Sequence, residues 1–262
     1  MNRIARPRNR ALGDVAVAAL ALALIATAIE AWVRAMRVPA YLMPPPTAVL
    51  QRLAADARFF AGEAAITVGE AAAGFALGVA AAFAIATLMA HSRTLERTLF
   101  PLAILVKLTP IVAVAPLFTL WFGFGAMPKV LIAALITFFP MLVNAFVGLR
   151  SVDTGELAFL RSLGASRREV FLLLRVPSAL PYLFSGARIS ASLALIGAVV
   201  AEWTGADRGL GRVIFVANAN LDLTALFSAV LVLAAIGIAV NAAVGIAERR
   251  LLRWHPLGGA LT

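Results

Sequence analysis

Residues 71–90 read Ala-Ala-Ala-Gly-Phe-Ala-Leu-Gly-Val-Ala-Ala-Ala-Phe-Ala-Ile-Ala-Thr-Leu-Met-Ala, without a single charge or proline. At about 1.5 Å per residue such a run is long enough, as a helix, to cross about 30 Å of hydrocarbon. The pattern repeats on both sides. Val15–Ile29 continues to Val33 with only Glu30 inside, and Leu99–Phe122 holds only Lys107. Val130–Leu149 is uncharged, Tyr182–Trp203 holds Arg188 and Glu202, and Leu223–Ala247 is uncharged. These runs predict an all-α membrane protein with six transmembrane helices. Composition agrees: 62% of the 262 residues are hydrophobic and 14% charged, against about 25% charged in soluble domains. Lipid must therefore solvate much of the surface. The basic N-terminus ahead of the first run resembles a cleaved leader, but the run is long enough to read as a first span.

The net charge of +10 sits in short clusters between apolar runs, which fits membrane topology rather than nucleic-acid binding. With an even number of spans both termini share a side. If that side is the cytoplasm, the inner segments carry Arg3, Arg6, Arg8, Arg10, Arg93, Arg97, Arg150, Arg161, Arg167, Arg168, Arg175, Arg249, Arg250 and Arg253. The outer segments carry Arg34, Arg37, Arg52, Arg58, Lys129, Arg208 and Arg212. That excess predicts cytoplasmic termini. Trp32, Trp121, Trp203 and Trp254 fall near span ends, where amphipathic rings prefer the interface. The expected organisation is a cytoplasmic segment 1–12, one transmembrane domain 13–250 and a cytoplasmic tail 251–262. The outer loop at 34–62 holds Pro44-Pro45-Pro46-Thr47, the start of a short surface helix. The outer segment at 123–129 reads as a Gly-Pro turn, and the last outer segment, about 204–222, as a Gly- and Asn-containing loop.

The inner loop at about 150–180 is the long one. Residues 153–181 read Asp-Thr-Gly-Glu-Leu-Ala-Phe-Leu-Arg-Ser-Leu-Gly-Ala-Ser-Arg-Arg-Glu-Val-Phe-Leu-Leu-Leu-Arg-Val-Pro-Ser-Ala-Leu-Pro. Asp153 with Glu156, and Ser166 with Glu169, have capping-box spacing. Leu157, Leu160 and Leu163 give one apolar edge, and Gly164 suits the left-handed residue that closes a helix. Pro177 predicts a stop near Val176. Two short helices about a Gly-Ala-Ser bend follow. A docking knob for a partner and an amphipathic loop lying on lipid headgroups both fit this local chemistry.

Leu163-Gly164-Ala165-Ser166, Val170-Phe171, Leu174-x-Val176-Pro177 and Leu180-Pro181 together resemble the cytoplasmic signature of binding-protein-dependent ABC importer permeases. Gly186-Ala187-Arg188-Ile189 and Ile196-Gly197-Ala198-Val199-Val200-Ala201-Glu202 are similar to the nitrate/sulfonate/taurine branch. So are Ala115-Pro116-Leu117-Phe118, Trp121-Phe122-Gly123-Phe124-Gly125 and Phe138-Phe139-Pro140. The likeness covers about residues 40–250. It implies the transmembrane domain of a type I ABC importer in a bacterial inner membrane, acting as a homodimer with two cytoplasmic ABC ATPase subunits and a periplasmic or lipid-anchored solute-binding protein. It implies a coupling role for Glu156, Ala158, Leu160, Leu163, Gly164, Ala165, Ser166, Arg167, Val170 and Pro177. The implied solute is an aliphatic sulfonate, taurine or a nitrate-like anion, with a thiamine pyrimidine precursor or riboflavin as the alternative. One position departs: Ala158 stands where the family carries an acid, and Glu156 lies two residues earlier.

The sequence offers no catalysis and calls for no cofactor. Lys107 and Lys129 are the only lysines, and neither follows P-loop glycines, so ATP hydrolysis falls to a separate subunit. His91 and His255 bring no paired carboxylates, and there is no cysteine, so metal chemistry is not indicated. Ionisable residues inside spans suggest function by default. Lys107, Pro110, Pro116, Asn144 and Glu202 are therefore the candidate pathway residues. For Lys107 and Glu202 snorkelling or pairing competes with a pathway role, and Arg188 and Glu202 read as residues near opposite mouths. Pro101, Pro110 and Pro116 in the third span and Pro140 in the fourth are expected to kink or break their helices. Gly74 and Gly78 permit close packing of the second span within the chain. A secondary transporter would instead show buried carboxylates in several spans and an inverted repeat; neither is visible in the sequence.

Overall fold

The computed structural model describes residues 8–252, with side chains from residue 16 onward. The expected segments 1–12 and 251–262, with Trp254 and His255, lie wholly or largely outside the described residues. The described chain is helical, with no strand. In order come α1 (Arg8–Ala35), α2 (Pro46–Ala55), α3 (Ala57–His91), α4 (Arg93–Leu108), α5 (Ile111–Phe122) and α6 (Ala126–Arg150). Then follow α7 (Thr154–Ser162), α8 (Arg167–Val170), a π turn (Phe171–Arg175), α9 (Val176–Trp203), α10 (Leu210–Ala219) and α11 (Leu223–Leu251). Five helices are long and apolar enough to span a membrane, and α4 with α5 makes a sixth if the bent pair counts as one span.

The core is α6 held between α3 and α9. Apolar helices gain nothing from leaving lipid for each other, so they associate through small residues that admit close backbone contact. A Cβ on Gly74 would lie 2.8 Å from the Val130 carbonyl, and one on Gly78 would lie 2.6 Å from the Ala134 carbonyl. From α9, a Cβ on Gly197 would lie 2.9 Å from the Ala133 Cα. Ala82, Ala86, Ala133, Ala145, Ala179 and Ala198 are fully buried around them, while α1 turns Leu20, Leu22 and Leu24 outward. Ser190 Oγ donates to the Thr137 carbonyl at 3.0 Å, a cross-link between α9 and α6. The Gly74/Gly78 expectation therefore holds. The short surface helix after Pro44–Thr47 is also present as α2, tied to α1 by Thr47, whose N–H and Oγ1 both donate to the Glu30 carboxylate.

The expected break in the third span is present: α4 and α5 meet at 95° across Thr109-Pro110. Pro110 lacks an N–H and drives Thr109 out of helical geometry, to φ −69° and ψ 124°. Pro140, by contrast, does not break α6, which runs unbroken through it; close neighbours on both sides hold its path. The second span starts at Ala57, well before Ala71, and so takes in Arg58, Glu63 and Glu70. The outer loop at 204–222 contains a helix of its own, α10.

Candidate functional site

The bend after α6 is built by local chemistry. Asp153 caps α7 by accepting from the Gly155 and Glu156 N–H groups at 2.8 and 3.2 Å. At the other end Gly164 takes φ +77°. Its N–H donates to the Arg161 carbonyl and that of Ala165 to the Leu160 carbonyl, which closes α7 in a Schellman turn. Ser166 then opens α8 with a complete capping box: Glu169 N–H donates to Ser166 Oγ, and Ser166 N–H donates to the Glu169 carboxylate at 2.7 Å.

The second short helix does not stop at Val176 as expected. Arg167–Trp203 runs on as one 37-residue helix. Pro177 would clash with the fourth carbonyl before it in a regular helix. Here the chain widens into a π turn just before it, with the Val176 N–H donating to the Phe171 carbonyl. The bend is thus one short helix, a sharp corner and the end of a spanning helix. It is wired to α3 by Arg175, whose Nη1 donates to the Ala90 carbonyl at 3.3 Å, and by Phe171 against His91, with ring centroids 5.2 Å apart.

Of the predicted coupling residues, Val170 is buried and Leu160, Ala165 and Pro177 are half-buried, while Glu156, Ala158, Leu163, Gly164, Ser166 and Arg167 are exposed. The apolar edge differs from expectation. Leu157 and Leu160 face inward, and Leu163 is 68% exposed beside Phe159 at 64%. Two large apolar side chains one helical turn apart thus project from the tip of the bend. Sequence reasoning had passed over Phe159 and Arg161; their signal was an i,i+4 apolar pair and an arginine inside the capped segment.

At the opposite end of the bundle lies a polar cluster that the sequence did not reveal. Glu63, Thr67 and Glu70 on α3, Lys129 on α6 and Glu202 on α9 are all buried. Lys129 Nζ donates to Glu70 Oε1 at 3.0 Å. Thr67 Oγ1 donates to Glu202 Oε1 at 2.7 Å and accepts from the Leu210 N–H at 2.8 Å. The Gly211 N–H donates to Glu202 Oε2, and the Gly209 N–H to Glu63 Oε2. Arg208 pairs with Glu63 from outside. The entry turn of α10 is thereby fixed to α3 and α9 by side-chain oxygens. Gly209, at φ +112°, lies so close to the Glu202 carboxylate that a Cβ there would collide with it.

Glu202 is fully buried, so it neither snorkels nor offers surface to a solute in this protomer. Arg188 likewise does not simply snorkel; it pairs with Glu248 on α11. Buried carboxylates on more than one span also remove one of the two features used above to set a secondary transporter aside.

Comparison with known proteins decides between those classes. Residues 74–253 match the family of binding-protein-dependent transport system inner membrane components. The chain belongs to that family. A formylaminopyrimidine transport permease protein of Halalkalibacterium halodurans is 35% identical over 82% of this chain and 86% of its own. A riboflavin transport system permease protein of Chloroflexus aurantiacus is 37% identical over 83% of this chain and 82% of its own. A taurine transport system permease protein of Escherichia coli is 31% identical over 81% of this chain and 80% of its own. The permease is therefore a multi-pass inner-membrane transport component, of a family that works with ATPase and solute-binding partners.

In this permease the remaining pathway candidates gather around the α4–α5 break. Lys107 is exposed in the protomer, its Nζ 4.8 Å from the centroid of the Phe139 ring. It lines a cavity of about 230 Å³ with Thr109, Ile136, Phe139, Pro140 and Leu193. Pro110, just before α5, and Pro116, within it, are exposed. Asn144 is not with them: its Nδ2 donates to the Pro140 carbonyl at 2.8 Å, and it packs against Gly186.

Gly164 carries the first test of the bend. No atom lies within 4 Å of a Cβ built there, so a side chain meets no steric block, only the backbone strain of φ +77°. That strain is about 1–2 kcal/mol for an L residue. Gly164→Leu is expected to insert and accumulate like the parent but to lower ATP-driven uptake by about tenfold. Uptake at the parental rate in reconstituted vesicles would remove the bend from the coupling role.

Proposed function

We propose that the permease forms half of the translocation pathway of an ABC importer, as a homodimer with two cytoplasmic ATPase subunits and a solute-binding protein outside. The observation that carries this reading is the capped bend at 153–166 with Phe159 and Leu163 exposed at its tip. A well-ordered apolar projection beyond the spans suits a seat in another protein. In this reading the bend and both termini face the cytoplasm, residues 13–250 form the transmembrane domain, and α10 faces the solute-binding protein. A structured corner tied to the ends of α3 and α9 would carry ATPase motion into the spans; Glu156, Ala158, Leu160, Leu163 to Arg167, Val170 and Pro177 compose or support it.

The solute we propose is a small anion of the aliphatic sulfonate, taurine or nitrate kind. Lys107 supports it, an unpaired cation at the edge of an apolar cavity beside the only break in the spans among the described residues. A heteroaromatic solute is the second reading. It is favoured by Phe139 on the same cavity and by the formylaminopyrimidine and riboflavin names of two relatives. Reconstituted with its ATPase and binding protein, the permease is expected to accumulate taurine or an alkanesulfonate only with ATP. Lys107→Met is expected to lower that uptake by on the order of tenfold, the worth of one charge-assisted hydrogen bond. Uptake without ATP would end the importer reading. Uptake of a pyrimidine or flavin instead, insensitive to Lys107→Met, would select the second solute class.

A further inference from the structure

Between the bend and the end of α3 lies an open cavity of about 270 Å³ whose polar side chains are all basic. Arg161 comes from α7, Arg167 from α8, Arg175 from the π turn and His91 from the end of α3, with Ala165 and Val170 as apolar walls. No carboxylate lines it among the described residues. Neither Arg161 nor Arg167 takes part in any of the ion pairs of the described residues. Two acids of the bend are engaged elsewhere: Asp153 caps α7, and Glu169 is held by the Ser166 N–H. Cations gathered at close range repel one another unless an anion joins them.

We infer that this cavity receives an acidic side chain of the ATPase subunit, so that the charge order of the docking contact is basic on the permease and acidic on the partner. The inference rests on the importer reading above. It follows from the three arginines and one histidine that line the cavity with no acid among them. The cavity is smaller than the pockets that hold drug-sized ligands, which suits a side chain. Phe159 and Leu163, exposed on the same bend, supply the apolar anchors that protein contacts set around a charged pair which binding then shields from water. Shielded pairs of this kind lose affinity steeply when one partner is reversed.

The test uses the full permease in lipid nanodiscs and its cognate ATPase. Arg161→Glu with Arg167→Glu is expected to weaken ATPase binding by on the order of tenfold or more. Parental binding should weaken as salt rises. Replacing a groove glutamate or aspartate of the ATPase by lysine should restore binding to the doubly reversed permease. Arg168→Glu is the control, since Arg168 does not line the cavity. Affinity unchanged by the double reversal, or lowered equally by Arg168→Glu, would overturn the inference while leaving parental docking intact. Loss of bound anionic lipid in native mass spectrometry with ATPase binding unchanged would assign the cavity to a headgroup and also overturn it. Failure of the parental permease to bind any ATPase would instead remove the importer reading itself.

Discussion

Gly78→Leu is expected to leave no folded permease in detergent extracts, although each span would still insert. Insertion depends on the hydrophobicity of single helices, and association on how closely they fit. At Gly78 a Cβ would collide with Thr137 Oγ1 and lie 2.6 Å from the Ala134 carbonyl and 3.2 Å from the Ala134 Cα. These neighbours are mostly backbone of α6, so rotamer changes relieve little. Nor can α6 move freely, because α9 packs closely on an adjacent face: Cβ atoms on Gly186 and Gly197 would lie 2.8 Å from Asn144 Cβ and 2.9 Å from Ala133 Cα. Overpacking costs about 1–3 kcal/mol where side chains can move and more where backbone blocks, against a total stability of about 5–15 kcal/mol. Gly69→Leu on the same helix is the control, since a Cβ there meets nothing within 4 Å. Size-exclusion profiles of the extracts would show a monodisperse peak for Gly69→Leu and aggregate for Gly78→Leu. A parental profile for Gly78→Leu would mean that α3 and α6 are not packed as described.

The same geometry explains which parts of the fold could be read in the sequence. Uncharged runs found the spans because a bilayer penalises charge regardless of packing, and capping chemistry found the bend because caps are local. What escaped was tertiary. Charges mark span boundaries in the sequence, which starts the second span at Ala71; yet Glu63 and Glu70 enter the span because Arg208 and Lys129, distant in sequence, neutralise them. Pro110 and Pro140 have the same local chemistry, but only the first breaks its helix, since α6 is clamped between neighbours and α4–α5 is not. Pro177 stops nothing because a π turn, which no residue pattern announced, makes room for it. The bend residues expected to couple were legible as a motif. The basic cavity beside them was not, because His91 and Arg175 join it from other elements.

Glu202→Leu is expected to release the α10 end of the bundle, and it separates a positioning role from a solute contact. The carboxylate is fully buried and accepts from Thr67 Oγ1 and from the Gly211 N–H. Leucine supplies no acceptor, so the Gly211 N–H would be left unsatisfied at about 1–3 kcal/mol, while the Thr67 hydroxyl would keep only its 3.3 Å bond to the Glu63 carbonyl. Thr67 also holds the Leu210 N–H, so the loss would spread to the first turn of α10. Gly209 and Gly211 fit closely around the carboxylate, and the branched leucine head would crowd them as well. Glu202→Gln keeps the shape and one acceptor oxygen, and should lose roughly half as much. Thermal unfolding in detergent is therefore expected to rank parent above Glu202→Gln above Glu202→Leu. Protease cleavage should appear within 204–222 only in the leucine variant. A residue that touched solute would behave differently: Gln would abolish transport of an anion-specific or cation-specific cargo while leaving unfolding unchanged. Equal stability of all three proteins with altered uptake would move Glu202 from the scaffold into the pathway.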